Sequence, residues 1–269
     1  MKPSPAEVTR IAILGAAGRM GRALVRTAKD MPGIRITAAL VSPKSPVIGQ
    51  QSDGVGYSAG LEQAVMLCDV VVDFSTPAAS AAALEICASA RKPMVIGVTG
   101  LDAEFRKRLQ AAASHIPVLV APNMSLGAAL LQQFSWFAAH ALGGNAAVQI
   151  LDRHHQHKKD APSGTALALG EAVAEGWGVS LRDHAHYTRQ LENIQAHPGE
   201  ILFVSVREGE IVGDHSVTFT RGAEHLELTH HAHDRSVFAF GALTAARWIA
   251  SRQPGLYGMS DVLGLSLPH

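Results

Sequence analysis

Cysteine is nearly absent from this chain: Cys68 and Cys87 are the two among 269 residues, and both lie in apolar stretches. Two such residues cannot form a disulfide framework, and they read as reduced core thiols of a cytosolic protein. Neither sign of charge prevails, since 23 Lys and Arg face 23 Asp and Glu. No global field therefore draws the chain to nucleic acid or to a membrane surface, and any anion it takes must be bound locally. No run approaches the roughly 18 uncharged apolar residues of a membrane span, and "MKPSPAEVTR" at the start carries no apolar leader segment. A soluble, cytoplasmic protein is expected. A Tyr-x-x-x-Lys pair is also missing: Tyr57, Tyr187 and Tyr257 are followed four positions on by Leu61, Leu191 and Asp261, which excludes the short-chain dehydrogenases.

What is present is apolar residues, at 47%, enough for a sizeable core in two modest domains or one large α/β unit. Five short apolar runs, "RIAIL", "IRITAALV", "DVVVDF", "KPMVIG" and "IPVLVA", alternate with Ala-rich helical stretches through the first 125 residues. That is the rhythm of a parallel sheet, whose strand ends share one ligand-binding edge. A helix is predicted from Leu126 to His140, and past Gly143-Gly144 the character changes. There "AAVQILDRHH", "ILFVSVR", "SVTFTR" and "HLELTHHA" follow one another around a single helix, "GTALALGEAVAEGW". This pattern predicts an antiparallel or mixed sheet, hence a second domain.

The first apolar run leads into "GAAGRMG", a glycine turn ahead of a helix, the order in which backbone N–H groups meet a dinucleotide pyrophosphate. The usual glycines at positions one, three and six are replaced by Gly15, Ala17 and Met20, and Gly15, Gly18 and Gly21 stand at a spacing of three instead. NAD binding calls for a carboxylate after the second strand. None occurs before Asp53, whereas Ser42, Lys44 and Arg19 offer donors to a 2′-phosphate. NADPH is therefore read as preferred, with the use of NADH left open.

"DRHHQHKKDAPSGTA" puts three imidazoles and two ammonium groups into Arg153–Lys159 and then a capped turn. Strand alternation sets Asp152 and His154 on one face, Arg153 and His155 on the other. Ser163 is the expected N-cap, and the first-turn N–H groups of Gly164 and Thr165 make a carboxylate site, strengthened by the lysines. His154 is the natural proton donor, which Asp152 could orient. A metal-dependent hydrolase using His154, His155 and His157 is the competing enzyme reading, and a nucleotide-binding redox sensor the non-catalytic one. Against a metal stand Arg153, Lys158 and Lys159 and the lack of any zinc spacing, so no metal is assigned. The second cluster, His225, His230, His231 and His233, reads as solvated strand positions.

Ile150, His154, Lys158, Asp160 and "PSGTA" from Pro162, together with "GAAGRMG", "VIGVTG", "APNMSLG", "VREGEIVGDH", "LELTH" with Arg235, "FAFGAL" and "DVLGL", run in the order of a known family. By these residues the chain resembles the 4-hydroxy-tetrahydrodipicolinate reductases, also called dihydrodipicolinate reductases, of the diaminopimelate and lysine pathway. It departs with Gln149 and Asp152 where the family has Glu, and with Val41 at the family's acidic position after the second strand. The resemblance implies a Rossmann-like parallel-sheet nucleotide domain, 1–125 plus 241–269, and an inserted α+β substrate and oligomerisation domain, 126–240, that forms a homotetramer through its sheet. It makes His154 the proton donor and Lys158 its catalytic partner, with His155, Ser163, Gly164 and Thr165 holding a dicarboxylate substrate. The cofactor would contact Gly15, Ala16, Ala17, Gly18, Arg19 and Met20, then Gly97, Val98 and Thr99, then Ala121, Pro122, Asn123 and Met124, beside Ser42 and Lys44.

Overall fold

Runs such as Ile11–Leu14 and Val70–Val72 have no polar side to turn outward, so a sheet made of them must be covered on both faces. The computed structural model describes residues 8–190 and 195–265 and builds that sheet. Residues 1–7, where no leader was read, and 266–269, which the sequence assigned to the nucleotide domain, lie outside the described residues. In chain order the elements are β1 (Thr9–Leu14), α1 (Arg19–Ala28), β2 (Ile34–Leu40), β3 (Gln51–Ser52), β4 (Val55–Ser58), α2 (Leu61–Leu67) and β5 (Val70–Asp73). Next come α3 (Pro77–Ser89), β6 (Met94–Ile96), α4 (Ala103–Ala113), β7 (Pro117–Val120), α5 (Leu126–Leu142), β8 (Ala147–His154) and α6 (Gly164–Trp177). The remainder are α7 (Leu181–His184), β9 (Ala185–Thr188), β10 (Ile201–Arg207), β11 (Gly213–Arg221), β12 (Glu224–Ala232), α8 (Ser236–Ile249), β13 (Gly255–Tyr257) and α9 (Met259–Leu263).

The chain divides into two units. The first holds the described residues through Leu126 and Arg235–Gly264; the second holds Gly127–Asp234. Because α8 is one continuous helix, its first residues, 236–240, stay in the first unit with the rest, and the return crossing falls at 234/235.

The first unit is an eight-stranded sheet in the order β13-β7-β6-β5-β1-β2-β4-β3. It is parallel throughout except for the β3–β4 hairpin. The strand order reverses at β1, which pairs with β2 on one side and β5 on the other, so a crevice opens beyond its C-terminal end. Leu84, Cys87, Phe105 and Leu109 of α3 and α4 pack on one face, while α8 lies against α1 and the strands β5 to β7. Cys68 and Cys87 are free and buried there, and burial pushes both thiols up, as reduced core thiols require. Alternation predicts no strand at 51–58, since two- and four-residue strands carry too few alternations. The signal lay in the turn, where Asp53-Gly54 takes positive φ at both residues (53° and 85°), the geometry that Asp-Gly favours in a tight hairpin.

The second unit is a mixed five-stranded sheet in the order β12-β11-β8-β10-β9. Its register lines up Ile201, Val148, Phe219 and Leu226 across four strands, then Phe203, Ile150, Val217 and Leu228. Apart from Leu226, which is exposed on the edge strand, both rows face a core with Leu169 and Val173 of α6 and Leu131 of α5. Each fully buried Ile, Leu or Phe contributes about 1.5–3 kcal/mol.

Close helix approach in the first unit rests on Gly241, where a Cβ would lie 1.8 Å from the carbonyl oxygen of Met124. Backbone cannot yield as a flexible side chain does. Gly241→Ala is expected to destabilise by about 3 kcal/mol or more, read as a drop in the urea midpoint at unchanged slope.

Candidate active site

Three helices are capped by their own side chains: Thr76 accepts from the N–H of Ala79 (3.4 Å), Asp102 from that of Phe105 (2.7 Å), and Ser163 from that of Ala166 (3.1 Å). Helix α1, like α2, opens on a glycine with no side chain to cap it, here Gly18. Its first-turn N–H groups, among them those of Arg19 and Met20, have no intrahelical partner, and Gly18 lies in the wall of the crevice, a ready anion site. Gly15 makes the turn possible: its φ is +82°, and a Cβ there would meet the Phe74 carbonyl at 2.6 Å. The N–H groups of Gly15 and Ala16 are already bonded to the Leu40 carbonyl (3.0 and 2.9 Å), so these two residues shape the turn and leave ligand donation to those after them.

Beside the turn is a cleft of about 470 Å³ lined by Gly15, Ala17, Gly18, Val41, Ser42 and Thr76, among others. Its Phe74–Thr76 wall is fixed by buried Asp73, whose carboxylate accepts from the backbone N–H (2.8 Å) and hydroxyl (2.5 Å) of Ser75. Burial pushes the Asp73 carboxyl up, against those bonds. Asp53, the first carboxylate after β2, is paired with Lys29 at 2.8 Å. Ser42 reaches the cleft; Lys44 is exposed on the adjoining turn, its N–H 3.3 Å from the Ser42 hydroxyl. Gly97, Val98 and Thr99 follow β6, and Ala121, Pro122, Asn123 and Met124 follow β7, on the same sheet edge but outside the lining of the cleft. From β1 to β7 is three strand spacings, about 14 Å, so one molecule touching both ends must be elongated. Met124 is fully buried, which leaves its backbone alone for contact.

In the second unit the two apolar rows give way to a polar one. Ser205, Asp152, His215 and His230 stand side by side on β10, β8, β11 and β12, with Arg207 opposite His154 one step on. Asp152 has no exposed surface. His154 Nδ1 lies 2.9 Å from its Oδ1, and His215 Nε2 lies 3.4 Å from the same oxygen. Oδ2 accepts from the Ser163 N–H (2.9 Å) and from Arg207 Nη2 (2.9 Å). Burial alone would raise the Asp152 carboxyl, but contacts from His154, His215, Ser163 and Arg207 outweigh it and hold the group well below the ordinary carboxylate range. Asp152 and His154 thus stand on one face, where alternation put them, with the carboxylate beside Nδ1 of the ring. The ring of His154 meets that of His215 edge-on at 5.1 Å.

Gly164, the first residue of α6, is exposed, and a Cβ there would meet nothing within 4 Å, so space stands open over the helix start. Thr165 is half-buried in the same turn. Lys158 Nζ lies 2.8 Å from Asp160 Oδ2, a contact a stronger anion could replace. His155 is half-buried, its N–H bonded to the Ile211 carbonyl (2.8 Å), while His157 is exposed with Nε2 4.0 Å from Glu210. The three imidazoles of the rival hydrolase reading therefore do not converge. Among the described residues the set that does is Asp152, His154 and His215, which shares its carboxylate with the Arg207 guanidinium at Oδ2. Of the second cluster His225, His231 and His233 are exposed as expected, but His230 is half-buried, 6.5 Å from His215 in the polar row. Sequence reasoning missed Arg207, Ser205 and His215, which lie 53 to 63 positions from Asp152 and meet it through strand pairing alone.

Burial lowers His215 against the opposing pull of Asp152, and lowers His230 chiefly by burial with His215 adding to it. Groups whose folded pKa is depressed stabilise the fold above their unfolded value and lose that contribution as pH falls. The urea midpoint should therefore decline on acidification from about pH 6.5 through these histidines, and further below about pH 4 through Asp152. His215→Gln should flatten the first of these limbs, measured as midpoint against pH.

Comparison with known proteins agrees with both halves of the geometry. The family model described as "Dihydrodipicolinate reductase, N-terminus" matches residues 9–124, and that described as "Dihydrodipicolinate reductase, C-terminus" matches 127–263. A 4-hydroxy-tetrahydrodipicolinate reductase of Thiobacillus denitrificans is 45% identical, over 95% of this chain and 98% of its own. One from Alkalilimnicola ehrlichii is 42% identical, over 96% and 99%. The structure of a dipicolinate-bound dihydrodipicolinate reductase from Paenisporosarcina sp. TG-14 shares the fold, with a TM-score of 0.76 at 24% identity over 94% of this chain and 98% of that one. With an uncapped glycine turn in one unit, an imidazole beside a capped helix start in the other, and matches spanning both, the chain belongs to the dihydrodipicolinate reductase family.

Proposed function

We propose that this protein reduces 4-hydroxy-tetrahydrodipicolinate to tetrahydrodipicolinate in the diaminopimelate and lysine pathway, with NADPH as preferred hydride donor and His154 as proton donor. Loss of the ring hydroxyl as water leaves a carbon–carbon double bond, which one hydride and one proton saturate. The observation that carries this reading is His154, held at its Nδ1 side by the Asp152 carboxylate, beside the open start of α6. NADPH, when bound, supplies the hydride. The chain's own residues do the rest. The first-turn N–H groups of α1 take the pyrophosphate, Ser42 and Lys44 meet the 2′-phosphate, and the turns after β6 and β7 extend the site along the sheet edge. The first unit is thus the nucleotide domain and the second the substrate domain. The N–H groups of Gly164 and Thr165, with Ser163, Lys158 and His155, hold the ring carboxylates, which fixes the ring for transfer.

The second unit is also the proposed tetramer interface. Support comes from β12, an edge strand with Leu226 45% exposed, and from a shallow hollow of about 440 Å³ lined by Leu151, Ser216, Glu227 and Thr229. An uncovered edge strand invites pairing with another chain. Sedimentation should return the mass of four 28.4 kDa chains; a monomer would end this part of the proposal.

The activity test uses freshly generated substrate and follows the loss of NADPH, then NADH, absorbance. Turnover with NADPH is expected to exceed that with NADH. His154→Ala should lower kcat about 10²–10⁴-fold while NADPH affinity, measured by fluorescence, stays unchanged. No turnover by the wild type with either nucleotide would sink the assignment.

A further inference from the structure

Five polar groups converge on the Asp152 carboxylate, from His154, Ser163, Ser205, Arg207 and His215. Arg207 is unlike the others because its guanidinium, besides a local bond to the Val206 carbonyl (2.7 Å), reaches three points on other segments. Nη2 donates to Asp152 Oδ2 (2.9 Å) and to the Asp160 backbone carbonyl (2.7 Å), and Nη1 donates to the Asp152 carbonyl (3.1 Å). The side chain is 11% exposed. Asp160 lies in the turn that leads to Ser163, and Ser163 itself donates to Asp152. One carboxylate and one guanidinium thus tie the strand that carries His154 to the turn that sets where α6 begins.

A buried ion pair adds little to stability over a well-packed apolar pair, so geometry is the better account of its presence. We propose that Arg207, acting through Asp152 and the Asp160 carbonyl, is a positioning residue that fixes the distance between the proton donor His154 and the carboxylate-binding start of α6. The inference rests on the functional reading above. Arg207 touches neither the ring nor the nucleotide; it acts by holding still the two groups that do. Displacing such groups by about 1 Å is enough to cost on the order of 10²-fold in rate. A lysine cannot substitute fully, because one ammonium lacks the planar fork that reaches two acceptors on separate segments.

The test is the affinity of Arg207→Gln and Arg207→Lys for dipicolinate, a planar ring dicarboxylate that needs no turnover, set beside their affinity for NADPH and their steady-state kinetics. Arg207→Gln should bind dipicolinate about tenfold more weakly, the loss expected for a buried charged hydrogen bond. Its substrate KM should rise with it, its kcat should fall and its thermal midpoint should drop, because the buried Asp152 charge loses a partner, while its NADPH affinity should hold near wild type. Arg207→Lys should fall between the two. Wild-type dipicolinate affinity and kinetics in Arg207→Gln would overturn the proposal, as would an equal loss of NADPH affinity. If the Gln variant does not fold, the Lys variant decides, and wild-type behaviour there overturns it equally. A wild-type protein that binds dipicolinate but does not reduce the substrate would defeat the functional reading and leave the positioning role intact. One that turns over alongside an equally active Arg207→Gln would defeat the positioning role alone.

Discussion

The organisation of the second unit depends on a carboxylate with no access to water. Asp152 cannot be hydrated where it sits, so each lone pair must be met by protein. Oδ2 accepts from Ser163 and Arg207 while Oδ1 faces the imidazoles of His154 and His215, and this gathering of β8, β10, β11 and the turn before α6 brings into one place segments more than fifty residues apart. The apolar rows beneath, Phe203-Ile150-Val217-Leu228 and the one before it, hold the four strands in register. The polar row is therefore delivered to the end of the sheet by hydrophobic packing, and its function follows from a register that the core enforces. Losing that register by one residue would turn the whole row to the opposite face.

The first unit solves a different problem with an omission. Helices α3, α4 and α6 spend a side-chain oxygen on their own first-turn N–H groups; α1, whose first turn adjoins the cleft, does not. What α1 leaves unmet is what a phosphate needs. No carboxylate stands at the end of β2: the family's acidic position is Val41, and the next carboxylate, Asp53, is held by Lys29. Binding of an elongated anion in an electrically neutral protein is thus a local arrangement of backbone dipoles and a few donors.

Much of both sites was legible because the governing interactions are short in sequence. The Ser163 cap on Ala166 spans three residues, the Asp152–His154 contact spans two, and Gly15 and Gly18 lie within one turn. Such features follow from strand alternation, from helix capping and from the freedom of glycine at positive φ. Arg207 and His215 stood in plain view within "VREGEIVGDH", yet nothing in that stretch states which strand pairs with which, or at what register. His230 was read as solvated for the same reason, since alternation gives a residue's face but not its neighbour. The joined zinc reading of His154, His155 and His157 failed because adjacency in sequence set them on different sides of a strand end and a turn.

The sequence by itself determined the class of fold, the glycine turn after β1, the face that carries His154 and the Ser163 cap of α6, because each is written in a window of a few residues where steric and hydrogen-bonding rules act directly. Tertiary structure alone decided the company those residues keep: Arg207, Ser205 and His215 around Asp152, the commitment of Asp53 to Lys29, and the whole of α8 in the first unit. The physical reason is that strand order and register are settled by the packing of entire apolar faces, a sum over many distant side chains that no local pattern contains.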